Sequence, residues 1–329
     1  MKRRIFVFII LIYSGHFLFT QEAVNTVPVT IVQDIDYRLY DPFSIDSRVV
    51  TLPEESNLKL FNDLPLLDGA TALYPVYSAF VRAVYPENPP DGYVYSGSGI
   101  QNKLILRCSQ TPSAYTNLIN GYVDMIFCAE PSREQITAAS EKGIKFNLYP
   151  IGIDAFVFFV NKDNPIDNIS SEQIHAVYSG EITNWLSING VDEPIIAYQR
   201  PQGSGSQTIL EQVIMADREL MEPIMENVVR GMGGIIEQVA DYKNYANAIG
   251  YSFAFFTMEM VNNDEIKILS VDGVYPSKES ILNNEYPYIG PFYAVTRGNE
   301  TENMNKLIYW ILSEQGQLLV EMTGYTPIN

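Results

Sequence analysis

The chain has 329 residues, 47% of them hydrophobic and 18% charged, a globular composition with apolar mass for one large or two medium domains. Its 21 basic residues stand against 39 acidic ones, a net charge of −18, which argues against nucleic acid and anionic membrane as partners. With two cysteines and two histidines, a resident metal or other cofactor is not expected.

The N-terminus opens with Lys2, Arg3 and Arg4 and continues through an apolar run, Ile5 to Tyr13. Residues 1–20 read as a secretory signal segment. The run is short of the ~20 residues of a membrane span, yet the cleavage site is poorly marked, which leaves an uncleaved anchor open. Residues 21–59 read as an N-terminal extension, and a composition rich in Pro, Asp and Ser, with little regular structure expected, runs on to about residue 65.

A repeating pattern follows. "LPLLDG" is a short apolar strand, and Leu73, Val76, Tyr77, Phe80 and Val84 keep helical spacing up to Pro86. "KLILRC" is the next strand. The helix after it is capped by Ser109 or Thr111, has Pro112 in its first turn and stops at Gly121. "VDMIFCA" is a third strand, leading into a helix with Pro131 early and Gly143 late, and "KFNLYPIGIDAFVFFV" supplies more strand. Strand and helix alternating at this spacing predict a parallel α/β sheet. In such sheets ligands bind beyond the carboxyl ends of the strands. The junctions Gly69–Ala72, Ser109–Thr111 and Ala129–Ser132 are then expected to face one crevice.

A second unit is expected after Asn161. "EPIIAYQR" is a strand leading into "RPQGSGSQT", "GMGGIIEQVADYKN" is a glycine-rich start to another helix, and a final amphipathic helix is expected near Asn303–Glu321. The apolar strands "DAFVFFV" and "IGYSFAFF" are candidates for the crossings between two lobes. The expected division is 60–158 with 252–329 as lobe I and 159–251 as lobe II.

The junctions carry the chemistry. A helix N-terminus presents N–H groups without intrahelical partners and about half a positive charge. Thr71, Ser109, Ser204 and Ser206 stand at such starts, and Arg200 adds a planar cationic fork suited to oxyanions. A hydroxyl at a helix start is ordinarily only a cap, so the weight lies in several converging on one crevice. Cys108 and Cys128 both end strands; a disulfide and two buried thiols fit equally well. His175 sits in "SSEQIHAVYSG" as an ordinary helix residue, and no Ser-His-Asp set, metalloprotease motif or P-loop is present. The chain is not expected to be an enzyme.

"LDGATALYPVYSAF", "SQTPSAYTNLINGYVDMIF", "VYSGEITNW", "RPQGSGSQT", "AIGYS" and "LSEQGQLLVEMTGYTPI", in this order, resemble the phosphate-binding periplasmic protein family, the substrate-binding subunits of phosphate ABC transporters. The resemblance covers about residues 60–329, and Arg-x-x-Gly-Ser-Gly-Ser is its most specific motif. It implies a two-lobed α/β periplasmic binding protein fold (type II) with the ligand cleft between the lobes. It also implies inorganic phosphate or a similar oxyanion as ligand, a membrane ABC permease as partner, a monomer, and a periplasmic or extracellular location. The site residues it implies are Thr71, Ala72, Ser109, Arg200, Ser204, Gly205 and Ser206, with Thr111 and Glu130 as further candidates. One departure bears on the ligand. The aspartate with which the family accepts the proton of phosphate falls on Ala129, and Glu130 lies one residue later. Sulfate or molybdate on the same fold is one alternative, and an anchored sensor or adhesin for a protein partner is another.

Overall fold

A computed structural model describes residues 36–95, 103–223, 227–240 and 246–328. The expected signal segment lies outside these residues, as does residue 21–35 of the expected extension. The remainder of the extension, 36–59, contains a single 3-10 turn, Tyr37–Tyr40, whose first N–H groups are capped by Asp36. It packs down all the same: Val49 and Ser56 are buried, and Lys59 Nζ donates to the Ala83 carbonyl at 3.0 Å.

The first half of the chain builds one hydrophobic core. β1 (Leu67–Gly69) is followed by a 3-10 turn (Thr71–Leu73) that runs into α1 (Tyr74–Val84). Short strands β2 (Tyr93–Val94) and β3 (Lys103–Leu104) precede α2 (Gln110–Asn120), β4 (Met125–Cys128) and α3 (Arg133–Glu141). β1 and β4 pair in parallel, Leu67 opposite Met125 and Gly69 opposite Phe127. A Cβ on Gly69 would lie 2.6 Å from the Phe127 carbonyl and 2.8 Å from the Tyr77 ring, so only glycine lets α1 fold back so closely. Gly121 ends α2 in the left-handed conformation at φ 73°, as its sequence position requires.

β5 (Asn147–Asn161) is 15 residues long. Its first half joins the first core through Ile151, and its second half, Ala155 to Val160, lies in a second core. β6 (Asn168–Ile169), α4 (Ser171–Tyr178), β7 (Ile196–Ala197) and α5 (Gly205–Ile209) follow, with α5 continuing as a wide π turn to Ile214. Next come α6 (Met232–Ala240), β8 (Ala248–Phe253), β9 (Ile266–Ile268), β10 (Ser270–Val271) and α7 (Lys278–Leu282). β11 (Ile289–Thr296) carries the chain back to the first core, which α8 (Glu302–Ile311) and α9 (Glu314–Thr323) complete.

The sequence reading differs from this arrangement in three places. The large sheet runs β1-β4-β11-β5-β8-β7 and is mixed, because β11 inserts antiparallel between β4 and β5. A strand returning from the second core runs opposite to its neighbours and needs no crossover helix. The two crossing strands are β5 and β11. β8 was the second expected crossing, yet Ala254, Phe256, Leu269, Val271, Ile281 and Tyr286, which follow it, all pack with the second core. The expected final helix is two helices, because the Ser313 hydroxyl caps the Trp310 carbonyl at 2.6 Å and α9 restarts from there.

Candidate functional site

Thr71 opens the turn after β1, Thr111 lies in the first turn of α2, and Ser204, Gly205 and Ser206 start α5. These starts, with Arg200 and Arg230, line one cavity of about 300 Å3. The loop before α5 is shaped locally. Gly203 takes φ 77°, and the Ser204 N–H closes a turn onto the Pro201 carbonyl at 3.1 Å.

Three hydroxyls define the cavity's chemistry. Those of Thr71, Ser204 and Ser206 are buried and have no protein partner. A buried polar group left without a hydrogen bond costs ~1–3 kcal/mol, and native chains rarely keep one without reason. Such hydroxyls occur elsewhere in the chain, as at Ser78, but these three border a single cavity. Arg200 lies beside them, 7% exposed. Its position is set by its backbone N–H, which donates to the Tyr251 hydroxyl and to Gln207 Oε1, each at 2.9 Å. Tyr251 in turn donates to Gln207, and Gln207 Nε2 reaches Gln199 and Glu211 at 3.1 and 2.9 Å. Burial holds the Tyr251 phenol well above its ordinary pKa, so it remains a neutral donor. The arrangement is a donor-rich, cationic socket in an acidic chain, with the chemistry to hold a small oxyanion.

The two halves of the chain meet at this socket. Gln135 Nε2 donates to the Gly203 carbonyl at 3.1 Å, and Gln202 Nε2 donates to Glu134 at 2.9 Å. A Cβ on Gly205 would lie 3.1 Å from the Thr111 hydroxyl and 3.7 Å from the Ala129 Cβ, so the start of α5 comes close to the first half at this residue.

The PBP superfamily domain family matches residues 66–315, more than half of the chain. This chain belongs to that family. Among PBP superfamily relatives, it is 29% identical over 218 residues to the phosphate-binding protein PstS of Borreliella burgdorferi, covering 64% of this chain and 76% of that protein. It is 26% identical over 265 residues to the protein of the same name from Bacillus subtilis, covering 80% of each. A substrate-binding protein from Clostridium perfringens solved with bound phosphate superposes with a TM-score of 0.61 at 24% identity, over 80% of this chain and 99% of that one. An ABC-type phosphate transport receptor from Vibrio cholerae gives 0.58 at 19% identity, over 80% and 99%. These likenesses identify the fold as the two-lobed binding-protein architecture.

Within this PBP superfamily domain, the socket gathers Thr71, Thr111, Arg200, Ser204, Gly205 and Ser206 and leaves out three residues expected there. Ser109 is turned away. Its hydroxyl donates to Asp68 Oδ2 at 2.6 Å and its N–H to Asp68 Oδ1 at 2.9 Å, while Asn117 adds a bond at 2.8 Å. Asp68 is completely buried, and a buried carboxylate takes the nearest donors. Ala72 lines a neighbouring cavity instead, as does Glu130, whose carboxylate accepts from the Tyr293 hydroxyl at 2.9 Å. Neither Glu130 nor Ala129 is among the residues that line the socket.

Sequence reasoning missed Arg230, Phe253 and Gln135. The first had a visible signal, since Arg230-Gly231 leads into the glycine-rich helix start already noted and Gly231 takes φ 79°. Cys108 and Cys128 form no disulfide, and burial pushes the Cys128 thiol up, which makes it unreactive. The His175 ring contacts the Ile214 carbonyl at 2.8 Å, apart from the socket lining. No cluster of residues among those described could hold a metal ion, and no described helix is long and apolar enough to cross a membrane.

Proposed function

We propose that this chain binds inorganic phosphate outside the cytoplasmic membrane and hands it to an ABC permease there, acting as a monomeric carrier rather than a catalyst. The observation that carries the proposal is the trio of buried hydroxyls, Thr71, Ser204 and Ser206, facing one cavity beside Arg200 without protein partners. A tetrahedral anion supplies the acceptors they lack, and each bond to a charged group contributes ~1.5–3 kcal/mol. Export through residues 1–20, which carry three basic residues and no acidic one, fits that location. In this reading lobe I is built on residues 60–158 and the C-terminal part of the chain, and lobe II begins at residue 159 and takes in residues of 254–286 that pack in the second core. The curated relatives named phosphate-binding protein support the choice of ligand. The test is calorimetric titration of phosphate into the wild type and Arg200→Ala. More than a tenfold loss of affinity is expected, and unchanged affinity defeats the assignment.

One observation favours a second reading. Among the described residues no carboxylate lines the socket, so a ligand oxygen that carries a proton meets no anionic acceptor among them. That suits a fully ionised oxyanion such as sulfate or molybdate. Titrating phosphate and sulfate separately at pH 6 and pH 8 separates the two readings.

A further inference from the structure

A second cavity, of about 270 Å3, adjoins the socket and shares Ala70, Thr111 and Phe253 with it. Its lining is largely apolar and includes Leu73, Ala129, Phe156, Ile209 and Phe292. Two carboxylates border it, and both are engaged: Glu130 by Tyr293, and Asp154 by the N–H of Ala155 at 2.8 Å.

A tetrahedral anion has four vertices, and the donors of the socket do not surround all four alike. On the shared side stand Ala70 and Phe253, with the Ala129 Cβ 3.7 Å from the position a Gly205 Cβ would take. The side-chain donor there is a single hydroxyl, that of Thr111. An anionic oxygen facing that side loses its water and finds at most that one donor, which is costly. A carbon substituent facing it loses nothing and buries apolar surface.

We propose that the site accepts monosubstituted phosphoryl anions, R–PO3 2−, with the three oxygens in the socket and an apolar R group in the adjoining cavity. The proposal rests on the oxyanion reading of the socket and deepens it. The charge balance agrees. Among the described residues two arginines and no carboxylate line the socket, which favours a dianion. A phosphate monoester, with its second pKa near ~6, is already a dianion at pH 8 and brings no proton that needs an acceptor.

The experiment titrates inorganic phosphate, methylphosphonate, phenylphosphonate and phenyl phosphate into the whole chain at pH 8. Phenylphosphonate is expected to bind at least tenfold more tightly than methylphosphonate. Phenyl phosphate, compared with it, tells whether the carbon is read directly on phosphorus or through an ester oxygen. Val213→Trp fills the cavity from a residue that is 52% exposed, so folding tolerates it. That variant is expected to remove the phenyl gain and keep phosphate affinity within threefold. If phosphate binds while the phenyl gain stays below tenfold, or survives Val213→Trp, the inference is overturned and the oxyanion reading stands. If none of the four anions binds, both fall.

Discussion

Gln135 donates from Nε2 to the carbonyl of Gly203 at 3.1 Å, tying the first turn of α3 to the loop that leads into α5. The same side chain accepts the Ser132 N–H through Oε1 at 2.8 Å and so completes a capping box on α3. One carboxamide thus serves the helix with its oxygen and the contact between the two halves with its nitrogen.

Gln135→Glu separates these duties. The oxygen and the cap survive, while the donor to Gly203 is replaced by a second acceptor that repels the carbonyl. The closed arrangement loses a hydrogen bond of ~1 kcal/mol, so phosphate affinity is expected to fall about fivefold, mostly through faster release, with thermal stability unchanged. Stopped-flow release of phosphate reads the first effect and scanning calorimetry the second. An unaltered release rate counts against Gln135 as a latch.

Ser206→Ala carries a double signature. The hydroxyl is buried without a protein partner, so removing it is expected to be neutral or stabilising for the unliganded chain. The same change is expected to weaken anion binding by roughly tenfold, the effect of one hydrogen bond to a charged group. Melting curves with and without phosphate separate the two. A variant that is destabilised in the absence of ligand contradicts the view that this hydroxyl awaits one.

Ser109→Ala is expected to do the reverse. The variant leaves the buried Asp68 with one donor fewer, and stability drops by ~1–3 kcal/mol. Phosphate affinity stays within threefold, because Ser109 serves the carboxylate and lies outside the socket lining. Urea denaturation and calorimetry measure the pair. A tenfold affinity loss at constant stability would restore Ser109 to the ligand.

Asp154, on the crossing strand β5, gives the chain a pH dependence. Burial pushes its carboxyl from an ordinary 3.8 up to about 7, only partly offset by the N–H groups of Ala155 and Phe255. Between about pH 4 and 7 the folded chain keeps a proton that the unfolded chain has released. Stability therefore falls as pH rises through that window, by on the order of 4 kcal/mol across it. Asp154→Asn removes the titration, and its melting temperature is expected to stay flatter from pH 4.5 to 7.5. Parallel pH profiles for the two proteins would exclude this carboxyl as the cause.

What the sequence determined by itself was local. The short strand ending at Gly69, the starts and stops of α1, α2 and α3, the turn at Gly203 and the run from Arg200 to Ser206 follow from caps, glycine turns and apolar spacing, which act within a few residues. Tertiary structure alone decided where the side chains of those starts are spent. Ser109 was the expected donor and Thr111 only a further candidate, yet Asp68, 41 residues before Ser109 in the chain, claims the serine and leaves the threonine on the socket. Arg230, Phe253 and Gln135 join the site, and Ala72 leaves it, because β5 and β11 fold the second half onto the first. A hydrogen-bond partner is chosen by what packing brings near in space, and a linear pattern carries no record of that neighbour.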